Sequence, residues 1–170
     1  EESKRIFADH GRGIVFLISD GVTPSNKEAG YILRRLIRRI ITKAPEFDFS
    51  QLLNKVVKLY HSHYQELDRE KILSVFDEES KKFKKTLVKG VRELNKLKEI
   101  DAQSAFKLYE SFGLPYEVIK DLGGQKAAKL RQKDFDKEFI KHQEISRAGQ
   151  EKKFGGHGLL LDTGELKAGS

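Results

Sequence analysis

Four arginines in a short stretch of the sequence are the residues best suited to binding a charged partner. They are Arg34, Arg35, Arg38 and Arg39. Successive helical residues are separated by about 100°, so the arginines occupy one half of a helix and the apolar residues of 32–41 occupy the other. Guanidinium groups donate paired hydrogen bonds to phosphate oxygens, and no acidic residue lies between them. An RNA backbone is the natural partner, although a solvated helix face or ion pairs with the many glutamates fit equally well.

A second candidate is Glu110, which lies in a segment with three regularly spaced aromatic residues. Phe106, Tyr109 and Phe112 are three positions apart, and we expect them to pack into the core. Glu110 lies near the end of the same predicted helix and is free to point elsewhere. Because glutamates are usually exposed surface residues, this segment alone assigns it no role.

Other kinds of chemistry lack a matching pattern. His61 and His63 project about 200° apart on a helix, so they cannot share one metal ion. The absence of cysteine excludes disulfides, thiolate nucleophiles and sulfur-liganded zinc. We find no Ser/His/Asp pattern, phosphate-binding glycine loop or dinucleotide fingerprint. We therefore expect no independent active site and no metal or cofactor in this chain.

Composition excludes several classes of protein. Hydrophobic residues make up 38% of the 170 residues, which is enough for a core and excludes wholesale disorder. No apolar run approaches the roughly 20 residues of a transmembrane helix. The sequence starts with acidic residues, which is unlike a signal peptide. We therefore expect a cytoplasmic protein with no membrane partner. The net charge of +7 favours a polyanionic partner. The absence of Met, even at position 1, suggests a piece of a longer chain.

Hydrophobic spacing predicts an all-α fold, a bundle of long packed helices in one or two subdomains with an extended C-terminal tail. The helices are predicted at residues 6–19, 25–43, 49–67, 68–98, 101–109, 116–122 and 133–148. Ser25 or Asn26 is expected to cap the second helix, because either side chain can accept a bond from an unpaired backbone N–H. Residues 1–150 are interpreted as the helical domain and residues 151–170 as a linker.

Several motifs in this order and spacing closely resemble the helical middle region of the alanyl-tRNA synthetase family. The first group consists of residues 8–10, 15–22, 24–26 and 30–39. A second motif, residues 108–115, resembles a later family string that usually reads Asp-Thr-Tyr-Gly-Phe-Pro, and residues 142–156 resemble the approach to the editing domain. The resemblance extends over about residues 5–158.

This resemblance implies one part of a ligase. In the family, an N-terminal class II catalytic domain makes alanyl-adenylate from alanine and ATP, the helical middle domain reads the tRNA acceptor stem, and later domains edit mischarged tRNA and promote dimerisation. ATP, magnesium and the zinc of the editing domain would belong to the catalytic and editing domains, which are implied partners. The chain by itself is expected to be inactive as an enzyme.

The family identifies alanine tRNA by a G·U wobble pair in the acceptor stem. Side chains reach base edges of A-form RNA only in its wide, shallow minor groove, where the wobble pair leaves the guanine amino group unpaired. The resemblance assigns the amide reader to Asn26 and the carboxylate reader to Glu110. The family residue at position 110 is usually Asp, so this side chain is one methylene longer.

Two alternatives accompany these assignments. Asn26 is also a candidate helix cap, and some of the arginines assigned to phosphates are also candidates for bracing acidic residues on neighbouring helices or on the catalytic domain. A different class of function is a basic helical protein-interaction module that meets an acidic partner and reads no RNA.

Overall fold

The computed structural model describes the backbone of residues 2–154 and the side chains of residues 3–145. The elements are α1 (Glu2–Ser19), α2 (Glu28–Lys43), α3 (Phe49–Tyr60), α4 (Arg69–Lys96), α5 (Ala102–Phe112), α6 (Tyr116–Gly123), a 3₁₀ turn (Gly124–Ala127) and α7 (Gln132–Phe154). No strand occurs among these described residues, so the predicted all-α class is confirmed. Helix α7 extends four residues into the predicted linker, and the rest of that linker lies outside the described residues. None of the helices described here has the length and hydrophobicity needed to cross a membrane.

Helix α2 packs against α1, α4 and α6. Leu33, Ile37, Ile40 and Ile41 are buried in the common core, as the apolar spacing predicts. The neighbouring helices cover only part of the predicted apolar half of α2. Ile32 belongs to that half and remains 48% exposed. The arginine half faces the middle of α4, the end of α5 and the start of α6.

The start of α2 differs from the prediction. Helical structure begins at Glu28, Lys27 occupies the N-cap position, and no side chain there accepts a hydrogen bond from the first turn. The hydroxyl of Ser25 accepts a bond from the Lys27 N–H at 3.2 Å and so closes a local turn. The prediction that Ser25 or Asn26 caps this helix is therefore wrong, and the Asn26 side chain is free for another contact.

Helix α3 also ends earlier than predicted, at Tyr60. The Tyr60 carbonyl accepts bonds from the N–H groups of His63 and Tyr64, both at 3.0 Å, and these bonds close a turn. The rings of Tyr60 and Tyr64 both pack against Phe16, with centroids 5.2 and 5.0 Å away. Leu59, on the last turn of this helix, is 71% exposed.

Helix α4 agrees with its prediction to within two residues. The Asp68 carboxylate caps it by accepting bonds from the Glu70 and Lys71 N–H groups at 3.0 and 3.1 Å. The apolar stripe of α4, which includes Phe76 and Phe83, packs into the core. A charged residue, Glu79, is buried in the same stripe.

Helix α5 has a defined start and a defined end, and it carries Glu110 on its last turn. At the start, the Asp101 carboxylate accepts the Ser104 N–H at 2.8 Å while the Ser104 hydroxyl accepts the Asp101 N–H at 3.0 Å. At the end, Gly113 takes the left-handed conformation with φ of 69°, and its N–H donates to the Tyr109 carbonyl at 2.7 Å.

We expect Asp101→Ala to lower the free energy of unfolding by about 1 kcal/mol, the typical effect of losing a helix cap. The Ser104 hydroxyl and N–H hold the pKa of Asp101 below its ordinary value of 3.8. A depressed folded-state pKa stabilises the fold above the unfolded pKa, and this stabilisation is lost as the pH falls through the folded pKa. Urea unfolding at about pH 6 and about pH 3 should therefore show the difference between wild type and variant shrinking at the lower pH.

Asp9→Ala serves as the matched control, because Asp9 is an exposed carboxylate in the middle of α1 that pairs only with Arg12 at 3.5 Å. An equal loss of stability in both variants would contradict the capping role of Asp101.

Candidate nucleic-acid interface

Asn26 and Glu110, far apart in the sequence, line one open groove on the surface. The groove has a volume of about 360 Å³ and lies between the loop before α2, the middle of α4 and the end of α5. Its other lining residues are Arg34, Arg38, Lys82, Thr86, Tyr109, Ser111, Phe112 and Gly113. The structure therefore brings together the two side chains for which the sequence predicts contact with a base edge.

The Asn26 side chain is oriented by Arg34. A guanidinium N–H of Arg34, at Nη1, donates to the Asn26 side-chain oxygen. Since a guanidinium group only donates hydrogen bonds, this contact determines which end of the amide is the oxygen. The amide NH₂ group points away from that contact and remains available as a donor.

Glu110 presents a carboxylate that is 56% exposed. The imidazole of His142 on α7 lies beside it, with Nδ1 3.6 Å from a carboxylate oxygen. The His142 ring lies against Phe106 of α5, with ring centroids 4.2 Å apart. The carboxylate is thus an accessible hydrogen-bond acceptor on a helix end that the packing of α5 against α7 holds in place.

Arg34 and Arg38 converge on the buried carboxylate of Glu79. Arg38 approaches one Glu79 oxygen with Nη2 at 2.6 Å and Nε at 2.8 Å, and Arg34 Nε lies 3.5 Å from the same oxygen. Arg38 Nη1 also donates to the Gly113 carbonyl at 2.8 Å. Burial lowers the pKa of Arg38 and the charge of Glu79 acts in the opposite direction, so the guanidinium stays charged at neutral pH.

Sequence reasoning did not identify Glu79, although a signal for it exists. Ile72, Phe76 and Phe83 define the buried stripe of α4, and Glu79 falls on that stripe at helical spacing. A glutamate at a position that the spacing assigns to the core must be paired with a cation. The arginines of α2 were the available partners.

The other two arginines of α2 have different surroundings. Arg35 is 38% exposed and pairs with Glu117 of α6, with Nη2 3.2 Å from the carboxylate. Arg39 is half-buried, and its Nε atom makes no hydrogen bond in the structure. The intramolecular ion pairs left open by the sequence are therefore present for Arg34, Arg35 and Arg38. Contact of the four arginines with phosphate stays a prediction.

Tyr109 adds a neutral hydroxyl to the floor of the groove. Burial raises its pKa to about 12, so it remains protonated at physiological pH.

Within the residues that the structure describes, no three His, Cys, Asp or Glu side chains are grouped so that they could hold a metal ion.

Comparison with known proteins decides the family of the chain. The family described as "tRNA synthetases class II (A)" matches residues 1–164. The chain belongs to this family. The resemblance to alanyl-tRNA synthetase derived from the motifs is confirmed by relatives that carry that name.

The alanine–tRNA ligase of Borrelia hermsii is 37% identical over 171 residues, which cover 92% of this chain and 29% of the relative. The alanine–tRNA ligase of Lawsonia intracellularis is 38% identical over 161 residues, which cover 85% of this chain and 18% of the relative. That of Thermotoga maritima is 36% identical over 157 residues, with coverage of 86% and 18%. The chain thus spans less than a third of the length of each of these synthetases.

The contact between Arg38 and the end of α5 is tested by Gly113→Ala, with Gly21→Ala as the matched control. Both glycines have positive φ, 69° and 85°, but an added Cβ at Gly113 would overlap Arg38 Nη1 whereas at Gly21 it would meet no atom within 4 Å. We expect Gly21→Ala to lower the free energy of unfolding by about 1 kcal/mol through backbone strain alone. Gly113→Ala should lower it by roughly 1.5 kcal/mol more, because it also displaces a charged hydrogen bond. Equal losses of unfolding free energy in the two variants would show that Arg38 moves aside without a cost in stability.

Proposed function

We propose that this chain is the tRNA-recognition domain of an alanine–tRNA ligase, and that it binds the acceptor stem of alanine tRNA and reads a G·U wobble pair from the minor-groove side. The observation that carries this proposal is the shared groove of Asn26 and Glu110, which lies beside the basic side chains of Arg34, Arg38 and Lys82.

The chemistry of the groove complements the wobble pair. A minor-groove edge with guanine and a pyrimidine presents the guanine amino donor next to acceptor atoms. The ionised Glu110 carboxylate accepts from the amino group, and the free NH₂ of Asn26 donates to the neighbouring acceptors. The minor groove of A-form RNA is wide and shallow, so side chains that line an open groove can reach its base edges.

Phosphate contacts in this proposal come from Arg34, Arg35, Arg38 and Arg39. Arg35 contributes most, because it is the most exposed of the three arginines that form ion pairs, and its contacts with Glu117 and Tyr31 leave N–H groups available. Lys82, which is exposed and lines the groove, adds a further positive charge. Such contacts orient the stem without reading its sequence.

The parent protein in this proposal is a cytoplasmic class II ligase. Its catalytic domain uses ATP and magnesium, its editing domain holds zinc, and both are partners of the helical domain at residues 1–150. Residues 151–170 lead toward the editing domain. The chain itself carries no cofactor and supplies recognition.

The proposal is tested with Asn26→Ala and Glu110→Gln in the 170-residue chain. Losing a base-edge contact costs about 1–3 kcal/mol of discrimination, or roughly 5- to 150-fold. Both variants should therefore lower the ratio of binding constants for an acceptor-stem hairpin with the G·U pair against one with a Watson–Crick pair. Binding to the Watson–Crick hairpin should stay nearly unchanged.

Glu110→Gln is the sharper of the two variants, since it keeps the shape but places a donor opposite the guanine amino group. Glu110→Asp restores the usual family residue. Its ratio of binding constants shows whether the longer glutamate side chain fits this groove. If Glu110→Gln leaves the ratio unchanged, Glu110 is only a surface carboxylate. Equal wild-type binding to both hairpins would favour the protein-interaction module instead.

The arginines are tested by the salt dependence of binding. Arg35→Ala should weaken binding to both hairpins equally and reduce the slope of log K against log salt by about 0.7 to 0.9 if it contacts one phosphate. Arg92→Ala, which removes an exposed arginine of α4 outside this set, is the control for overall charge. A slope equal to that of the control would assign Arg35 to its ion pair with Glu117 alone.

A further inference from the structure

We propose that Glu79 is a positioning residue that holds both base-reading side chains in place. This inference rests on the proposed function, because Glu79 is expected to act through Asn26 and Glu110 and not to touch RNA itself. Nothing in the sequence motifs assigns a role to this residue.

The burial of Glu79 makes its ion pairs obligatory. The side chain is 4% exposed, and one of its oxygens lies 2.6 Å from Arg38 Nη2 and accepts a hydrogen bond from Arg38 Nε at 2.8 Å. Arg34 Nε lies 3.5 Å from the same oxygen, as an ion pair without a hydrogen bond. A buried carboxylate without a cation is strongly unfavourable, so the two guanidinium groups are held in one geometry. The carboxylate between them also reduces the repulsion between two arginines one helical turn apart.

The first connection runs through Arg34 to Asn26. The same guanidinium that approaches Glu79 donates from Nη1 to the Asn26 oxygen and from Nη2 to the Pro24 carbonyl at 3.4 Å. The loop before α2 lacks a side-chain cap, and Glu28 at its end has a φ of 49°. Arg34 is therefore the group that orients Asn26 and leaves its NH₂ group as the outward donor.

The second connection runs through Arg38 to the end of α5. Arg38 Nη1 donates to the Gly113 carbonyl at 2.8 Å, and the Thr86 hydroxyl donates to the Phe112 carbonyl at 3.0 Å. Both bonds tie the last turn of α5 to α2 and α4, and Glu110 lies on that turn. One carboxylate on α4 thus connects two segments that are far apart in the sequence.

Glu79→Gln tests the inference directly, because it keeps the shape of the side chain and removes its charge. In the 170-residue chain we expect the ratio of binding constants for the G·U hairpin against the Watson–Crick hairpin to fall about tenfold, near the lower part of the range for base contacts. Binding to the Watson–Crick hairpin should stay within about twofold of the control, since phosphate contacts dominate it.

Glu93→Gln is the matched control. It makes the same charge change on the same helix, but the Glu93 side chain is 44% exposed and, among the residues that the structure describes, pairs with Lys96, three residues away, at 2.7 Å. Both variants raise the net charge by one, so a difference between them cannot come from general attraction to RNA.

A second variant keeps the inference testable if Glu79→Gln does not fold. Arg34→Lys preserves the positive charge but loses the planar fork that reaches Glu79, Asn26 and Pro24 together. We expect it to lower the ratio while leaving the salt slope unchanged, which separates positioning of Asn26 from contact with phosphate.

The two hypotheses fail in different ways. If Asn26→Ala and Glu110→Gln lower the ratio while folded Glu79→Gln or Arg34→Lys keeps the wild-type ratio, the positioning role is overturned and the proposed function stands. If Asn26→Ala and Glu110→Gln leave the ratio unchanged, the proposed function fails and the inference fails with it.

In support of the inference, Glu79→Gln should have a smaller effect on the ratio of binding constants in an Asn26→Ala background than in wild type, because one of its two connections is then already absent.

Discussion

The ion pair between Arg38 and Glu79 is the interaction on which the groove depends. The two groups meet at 2.6 Å beside the ring of Phe83, whose centroid lies 5.0 Å from the guanidinium carbon. Taking two charges out of water is costly, and such pairs add little net stability compared with apolar side chains. Their effect is geometric, because a desolvated charge must keep its partner. Helices α2, α4 and the end of α5 are thereby held in a single arrangement.

The amphipathic character of α2 explains how one helix serves both the core and the groove. Leu33, Ile37 and Ile40 are fully buried against neighbouring helices, so α2 cannot rotate about its axis without exposing them. This constraint fixes the direction of Arg34 and Arg38 on the opposite side. Part of the positive charge on α2 is therefore paired with a carboxylate inside the protein, and part of it remains exposed on the surface.

Much of the fold follows from local sequence pattern. The spacing of apolar residues predicts the class, the number of long helices and most of their ends, because burial of one face needs only a 3.6-residue period. Helix α5 begins at the capping residue Asp101, and Gly113 ends it because only glycine adopts its left-handed φ without strain. The motifs also indicate Asn26 and Glu110 as a pair, through resemblance to a family to which the chain belongs.

Long-range packing decided what the sequence left open. The segment after α3 packs its Tyr64 ring, together with that of Tyr60, against Phe16 of α1, a contact between residues far apart in the sequence. Asn26 turns toward Arg34 and does not cap α2, and the same arginine lies 3.5 Å from Glu79 of α4. By itself the sequence determined an all-α chain with a basic helix and two candidate readers. Only the tertiary structure decided which arginines are neutralised and that the readers share a groove, because ion pairing depends on distance in space and not on spacing along the chain.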